Sequence, residues 1–163
     1  MPRLDVNLLG DRGEKIFESI IMTFHGARPL FRPAHLGSKW PTADVAVELV
    51  DRPGQFFLVQ VKTTRGGKSA PARRRRLRTP VTRSDFNALA RAKLPTYIVG
   101  VDERQERAYI RVAVGLRRRN LASISLKHSL GQASVRRSLF NEVASFWSGV
   151  GRKVAAEFSA FTD

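Results

Sequence analysis

The chain has no cysteine, and its 14 acidic residues are outnumbered by 29 Lys and Arg. The first absence excludes disulfides, thiolate metal centres and cysteine nucleophiles, leaving carboxylates and three histidines as charged or nitrogen metal ligands. His25, His35 and His128 are scattered, without metal-ligand spacing, and read as surface or loop residues. Long apolar runs are also missing. None approaches the roughly 18 residues of a spanning helix, and Met1 to Glu14 is charged where a signal peptide is apolar. These absences predict a soluble, cytoplasmic protein with no membrane partner. There is no serine nucleophile elbow, phosphate-binding P-loop or dinucleotide fingerprint.

The 163 residues are 42% hydrophobic and 9% aromatic, enough apolar material for one packed domain over 1–163. The net charge is +15, which makes a polyanion the first expected partner. Most of the excess is concentrated. From Arg52 to Val101 there are 12 basic residues and one acid, Asp85. The centre of that stretch, residues 64–81, is rich in Gly, Ala, Pro and Arg and is expected to form a mobile loop. Arg65, Lys68, Arg73, Arg74, Arg75, Arg76, Arg78 and Arg83 are its candidate nucleic-acid contacts, because guanidinium groups bind phosphate oxygens bidentately and release counterions. A merely solvated, solubilising loop is the alternative.

Periodicity supplies the frame. Ile16, Phe17, Ile20, Ile21 and Phe24 fall at helical spacing from Gly13 onward, with Gly26 as terminator. Leu30 to Phe31 reads as a short strand. In residues 44–50, Val45, Val47 and Leu49 alternate with Asp44, Ala46 and Glu48; after the Pro53-Gly54 turn, Phe57, Val59 and Val61 alternate with Leu58, Gln60 and Lys62. Ser84 is the expected cap of a helix to Leu94, and strands follow at 97–101 and 108–114. Residues 115–137 read as mostly irregular, and a long C-terminal helix begins near Ser138. The predicted order is α-β-β-β-α-β-β-α, an α/β fold with a core over 10–114 and a C-terminal extension over 115–163. Phe140, Phe146, Trp147, Phe158 and Phe161 spread over more than one face of the last helix, which suggests a homodimer or a partner protein docked there.

One constellation has chemical content. Gln60 and Lys62 leave the same face of a strand, and Asp44 begins the neighbouring strand. With Glu14 from the first helix, or Glu18 one turn later, carboxylates and an amide oxygen would converge near an ammonium. Such donors suit Mg²⁺ or Mn²⁺, and such a set suits phosphodiester hydrolysis. Glu48 shares the Asp44 face and is a further possible ligand. Trp40, in a Pro-flanked loop nearby, is placed to stack on a base. The bland alternatives are a turn residue at Asp44, a solvated sheet face for Gln60 and Lys62, and a helix-dipole role for the two glutamates.

The Gly13-Glu14 helix start, Thr42-Ala43-Asp44, and Val59-Gln60-Val61-Lys62 after a Pro/Gly turn resemble the PD-(D/E)XK nuclease superfamily. The Gln-x-Lys form looks like the variant in Mrr-type restriction endonucleases and in an endonuclease-like bacterial domain family; archaeal Holliday-junction resolvases are a more distant likeness. The resemblance runs from about Gly10 to Val101. It implies a restriction-endonuclease-like mixed sheet flanked by helices and a Mg²⁺- or Mn²⁺-dependent endonuclease acting on DNA. It also implies site roles: Asp44 the central metal ligand, Gln60 the weaker one, Glu14 the helix carboxylate with Glu18 in reserve, and Lys62 the catalytic lysine. An amide at position 60 removes one negative charge from that site. Two other functions therefore stand beside cleavage, an inactive nucleic-acid-binding module of the same fold and a protein-interaction component of a defence or toxin assembly.

Overall fold

The computed structural model describes residues 5–65, 68–69, 76–115 and 121–157, with side chains over 5–65, 76–115 and 121–150. The chain is a mixed α/β protein; among the described residues it has a multi-stranded mixed sheet and three helices, the last of them towards the C-terminus. Its elements in order are α1 (Val6–Ile21), β1 (Phe24–His25), β2 (Arg28–Pro29), β3 (Phe31–His35), β4 (Val45–Leu49), β5 (Phe56–Thr64), β6 (Lys68–Ser69), β7 (Arg76–Val81), α2 (Arg83–Ala90), β8 (Thr96–Asp102), β9 (Arg107–Val112), β10 (Leu121–Ser125) and α3 (Ala133–Glu157). Among the described residues no helix is long and apolar enough to cross a membrane.

The main sheet has the order β3-β4-β5-β8-β9. Only β5 and β8 run parallel, since the connection between them is long enough to cross over; the other neighbours are antiparallel. The β4–β5 turn closes through Arg52 N–H donating to the Leu49 carbonyl and Gln55 N–H to the Arg52 carbonyl. It uses left-handed backbone at Asp51 and Gly54, which is why a glycine stands there. Central β8 is buried along its whole length, covered on both faces. On one face Val45, Val47, Phe57, Val59, Val61, Tyr97 and Val99 pack with Phe17 and Ile21 of α1 and with Leu139 and Val143 of α3. On the other, Ile98 and Tyr109 pack beneath Leu77, Val81, Phe86, Leu89 and Ile124, which belong to α2 and to a second sheet of order β10-β7-β6. Each fully buried Phe, Leu or Ile contributes about 1.5–3 kcal/mol.

Several expectations need correction. Helix α1 starts seven residues before Gly13, because the Asp5 carboxylate accepts from the Asn7 and Leu8 N–H groups and caps it there. Helix α2 is capped by Thr82, whose hydroxyl accepts from Asp85 N–H, in place of Ser84. The basic stretch is not irregular throughout 64–81: Lys68–Ser69 and Arg76–Val81 are strands. In β7, Leu77, Thr79 and Val81 point inward while Arg78 and Pro80 face solvent. Pro80 has no N–H to give, and the β7–β10 register shifts by one residue beside it, a bulge that accommodates the missing donor. Residues 115–137 likewise include β10 and the first turns of α3. Arg73, Arg74 and Arg75 lie outside the described residues, as do Phe158 and Phe161.

Among the described residues, three aromatic side chains of α3 find internal contacts. Phe140 and Trp147 pack against the core, and the Trp147 indole donates to the Phe56 carbonyl at 2.8 Å. Phe146 stands edge-on to Trp147 with ring centroids 5.3 Å apart.

Candidate functional site

The β4–β5 register pairs Val45 with Val59, so Asp44 lies opposite Gln60 just beyond the paired stretch. The Asp44 N–H donates to the Val59 carbonyl at 2.9 Å, and the Asp44 Oδ2 accepts from the Val61 N–H at 2.7 Å. The backbone of β5 therefore fixes the carboxylate at the height of Gln60 and Lys62. Gln60 is 5% exposed, and its Oε1 is buried without a hydrogen-bond partner. An unsatisfied buried carbonyl oxygen costs about 1–3 kcal/mol, so this oxygen is free to accept from a donor, an ordered water or a cation. Lys62 is half-buried on the same face, near enough for its charge to act on Asp44.

Glu14 belongs to α1, on the other side of the sheet, yet its carboxylate meets the same charges. Burial and then the negative charge of Asp44 raise its pKa, and His35 opposes the rise. Burial also raises the pKa of Asp44, against the Val61 hydrogen bond, Lys62 and His35, which favour the charged form. α1 approaches this closely because Gly13 rests on Thr63 of β5: a Cβ at position 13 would lie 1.7 Å from Thr63 Oγ1.

The structure thus places Gln60 opposite Asp44, and brings Lys62 and Glu14 near enough for their charges to act with that of Asp44. Glu18, one turn on, is the weakest of the charges acting on Glu14. Glu48 does not join them. It sits at the far end of β4, where its Oε2 accepts from the Gly54 N–H at 3.3 Å, so its work is in the turn. Two residues are additions to the predicted set. His35 Nδ1 lies 3.0 Å from Glu14 Oε2; β3 places it opposite Val45, next to Asp44, a proximity no spacing of histidines reveals. Asp85, in the first turn of α2, adds negative charge that raises the Asp44 pKa. Its signal in the sequence was its isolation as the single acid among 12 basic residues.

The predicted nucleic-acid contacts divide. Arg65 Nε donates to Glu103 Oε2 at 2.8 Å, and Arg12 Nε to Glu103 Oε1 at 2.7 Å, so one carboxylate ties the end of β5 to α1. Arg76 donates to Ser123 Oγ and to the Ser123 carbonyl. Arg78 and Arg83 are exposed. Trp40, in the loop leading to Asp44, is 52% exposed.

The donor set fits a hard divalent cation: two carboxylates and a buried amide oxygen that has no other partner. No group of three or more His, Asp or Glu side chains among the described residues is already arranged around a metal position. No family model, curated protein or solved structure matches the chain.

Proposed function

We propose that the chain is a metal-dependent endonuclease of the PD-(D/E)XK type, hydrolysing phosphodiester bonds in DNA. The observation that carries this reading is the orphaned Gln60 oxygen, buried opposite a backbone-pinned Asp44 and beside Lys62. The topology supports it: an antiparallel β3-β4-β5 meander continued by a parallel β8, with α1 on one face and α2 on the other, is the layout expected of a restriction-endonuclease-like core.

Asp44, Gln60 and Glu14 would hold Mg²⁺ or Mn²⁺, which supplies Lewis-acid polarisation of the phosphate and a lowered pKa for an attacking water. Asp44 keeps its orientation through the Val61 N–H, whatever occupies the site. Lys62 donates to the water or to a non-bridging phosphate oxygen, and its charge offsets the negative charge that builds in the pentavalent transition state. His35 orients the Glu14 carboxylate through the 3.0 Å contact. Arg78, Arg83 and the neighbouring basic residues supply the counter-charge for the strand being cut.

The test is nicking of supercoiled plasmid in Mg²⁺, Mn²⁺ or EDTA, with single-stranded DNA and RNA as further substrates. Metal-dependent nicking that disappears in Asp44→Ala and Lys62→Ala is the expected result. Equal cleavage by the parent and both variants would remove the assignment. One observation favours a second reading, a non-cleaving nucleic-acid-binding module: an amide stands where a third negative charge would strengthen metal binding. Salt-sensitive DNA binding without cleavage in either metal is what that reading expects.

A further inference from the structure

At the opposite end of the β4–β5 hairpin is a second basic feature. Five residues of strand at about 3.3 Å each put it roughly 17 Å from Asp44. A cleft of about 710 Å³, within the size of small-ligand pockets, is lined by residues that include Arg28, Asp51, Arg52, Gln55, Arg137 and Phe140. The Arg52 and Arg137 guanidiniums lie 5.8 and 5.6 Å from the centre of the same Phe140 ring. Neither pairs with a carboxylate among the described residues, whereas Arg28 is bonded to Asp51. The cation–π attraction that holds Arg52 or Arg137 is only about 0.5–1 kcal/mol at an exposed site, so neither charge is neutralised where it stands. The buried Gln55 Oε1 also lacks a hydrogen-bond partner. The cleft thus has positive charge in excess of its one carboxylate, Asp51, an aromatic face and an unused acceptor.

We propose that this cleft is a phosphate-binding site, in which Arg52 and Arg137 grip the oxygens of one phosphate group against Phe140 and Arg28 closes the third side. Guanidinium forks match phosphate oxygens bidentately. A doubly charged phosphate matches the two guanidinium charges, while a lone carboxylate would leave part of that charge unmatched. Gln55 Oε1 accepts from a hydroxyl or amino group next to the phosphate, as in a nucleoside phosphate or a nucleotide of a strand. The site does not depend on whether the chain cleaves DNA: no residue of the cleft belongs to the Asp44 cluster.

The test follows the Arg Nε–Hε resonances of the full ¹⁵N-labelled chain, assigned through Arg→Lys variants. Pyrophosphate is titrated in one arm and a short DNA duplex in the other. The expected result is saturable movement of the Arg52 and Arg137 signals in at least one arm, with the affinity read in parallel from the backbone amides of Gln55 and Phe140 weakened at least tenfold in Arg52→Ala/Arg137→Ala while the remaining amide spectrum stays folded. Movement with pyrophosphate identifies a free phosphate compound as sufficient; movement with duplex alone identifies the nucleic-acid backbone as the source. Signals that stay fixed in both arms, or affinity unchanged in the double variant, would overturn the site.

Discussion

Replacing Gly13 by alanine probes the contact that brings α1 to the candidate site. In an open helix this change stabilises by about 1 kcal/mol, because alanine loses less backbone entropy than glycine. Here the new Cβ would meet Thr63 Oγ1 at 1.7 Å, Thr63 Cβ at 2.7 Å and Thr63 Cγ2 at 2.8 Å. Turning the threonine side chain cannot remove the overlap, since its own Cβ is one of the atoms struck. The helix must withdraw by about 1 Å, loosening Phe17 and Ile21 from the core. Overpacking of this kind costs about 1–3 kcal/mol, and the loosened burial adds to it, so a net loss of about 2 kcal/mol remains after the propensity gain. For a chain of this size that lowers Tm by about 4–8 °C. Thermal and urea unfolding of Gly13→Ala, Thr63→Ala and the double variant give the coupling. Removing Oγ1 and Cγ2 relieves two of the three clashes, so the double variant is expected to recover about 1 kcal/mol or more relative to additivity. A Gly13→Ala protein as stable as the parent, or strictly additive energies, would refute the close-packing account. The same withdrawal carries Glu14 away from Asp44, so cleavage should fall more steeply than stability.

Four further outcomes are expected. Asp44→Asn keeps an acceptor for the Val61 N–H but removes a charge that burial disfavours, so metal-free Tm at neutral pH should rise while plasmid nicking is lost; Asp44→Ala orphans that N–H and should be about 1–3 kcal/mol less stable than Asp44→Asn by urea unfolding. Because the folded-state pKa values of Asp44 and Glu14 are raised, the native protein binds more protons than the unfolded chain between the ordinary carboxylate values and the raised ones. Across that window the contribution of these two groups to metal-free stability should fall as pH rises, while cleavage should rise as the protons leave; pH titrations of Tm and of nicking, compared between the parent and Asp44→Asn, test both signs. Glu103 has the opposite sign: Arg65 and then Arg12 lower its pKa, so its contribution is present above the ordinary carboxylate range and lost as pH falls through the lowered value, and Glu103→Gln should abolish that acid-side loss in denaturation curves. Arg76→Ala removes two hydrogen bonds between β7 and Ser123 and should cost about 1–3 kcal/mol in urea, whereas exposed Arg78→Ala should leave stability unchanged and reduce the salt slope of DNA binding.

The site was legible where side chains alternate along a single strand. Gln60 and Lys62 declare a common face by spacing alone, and Asp44 joins them because the Pro53-Gly54 turn sets the register of the hairpin. Glu14 was reached only through the family resemblance of the Gly13-Glu14 helix start; the close approach of Gly13 to Thr63 that delivers it involves a contact between residues 50 positions apart, which no local pattern reveals. His35 and Asp85 were hidden because each reaches the site from an element whose position depends on long-range pairing. Strand β7 was concealed by its charge: Arg76, Arg78 and Pro80 mask an alternation of Leu77, Thr79 and Val81 that is complete in the sequence. The early start of α1 was obscured for a different reason. Val6 and Leu8 are exposed, so the first turns carry no amphipathic signal and only the Asp5 cap marks them.

The parallel pairing of β5 with β8 has a consequence for the order in which the chain folds. The β4–β5 hairpin needs only a short loop to close, a step of microseconds. β8 must wait until the whole segment from Thr64 to Thr96 has been looped back, a slower entropic search through its most strongly self-repelling part. Asp44, Gln60 and Lys62 would then come together early, while Glu14 and His35 are still being delivered. Pulse-labelled hydrogen exchange during refolding should find the Asp44 and Val61 amides protected before those of Val99 and Val101, and polyanions, by quenching the charge between Thr64 and Thr96, should shorten that interval.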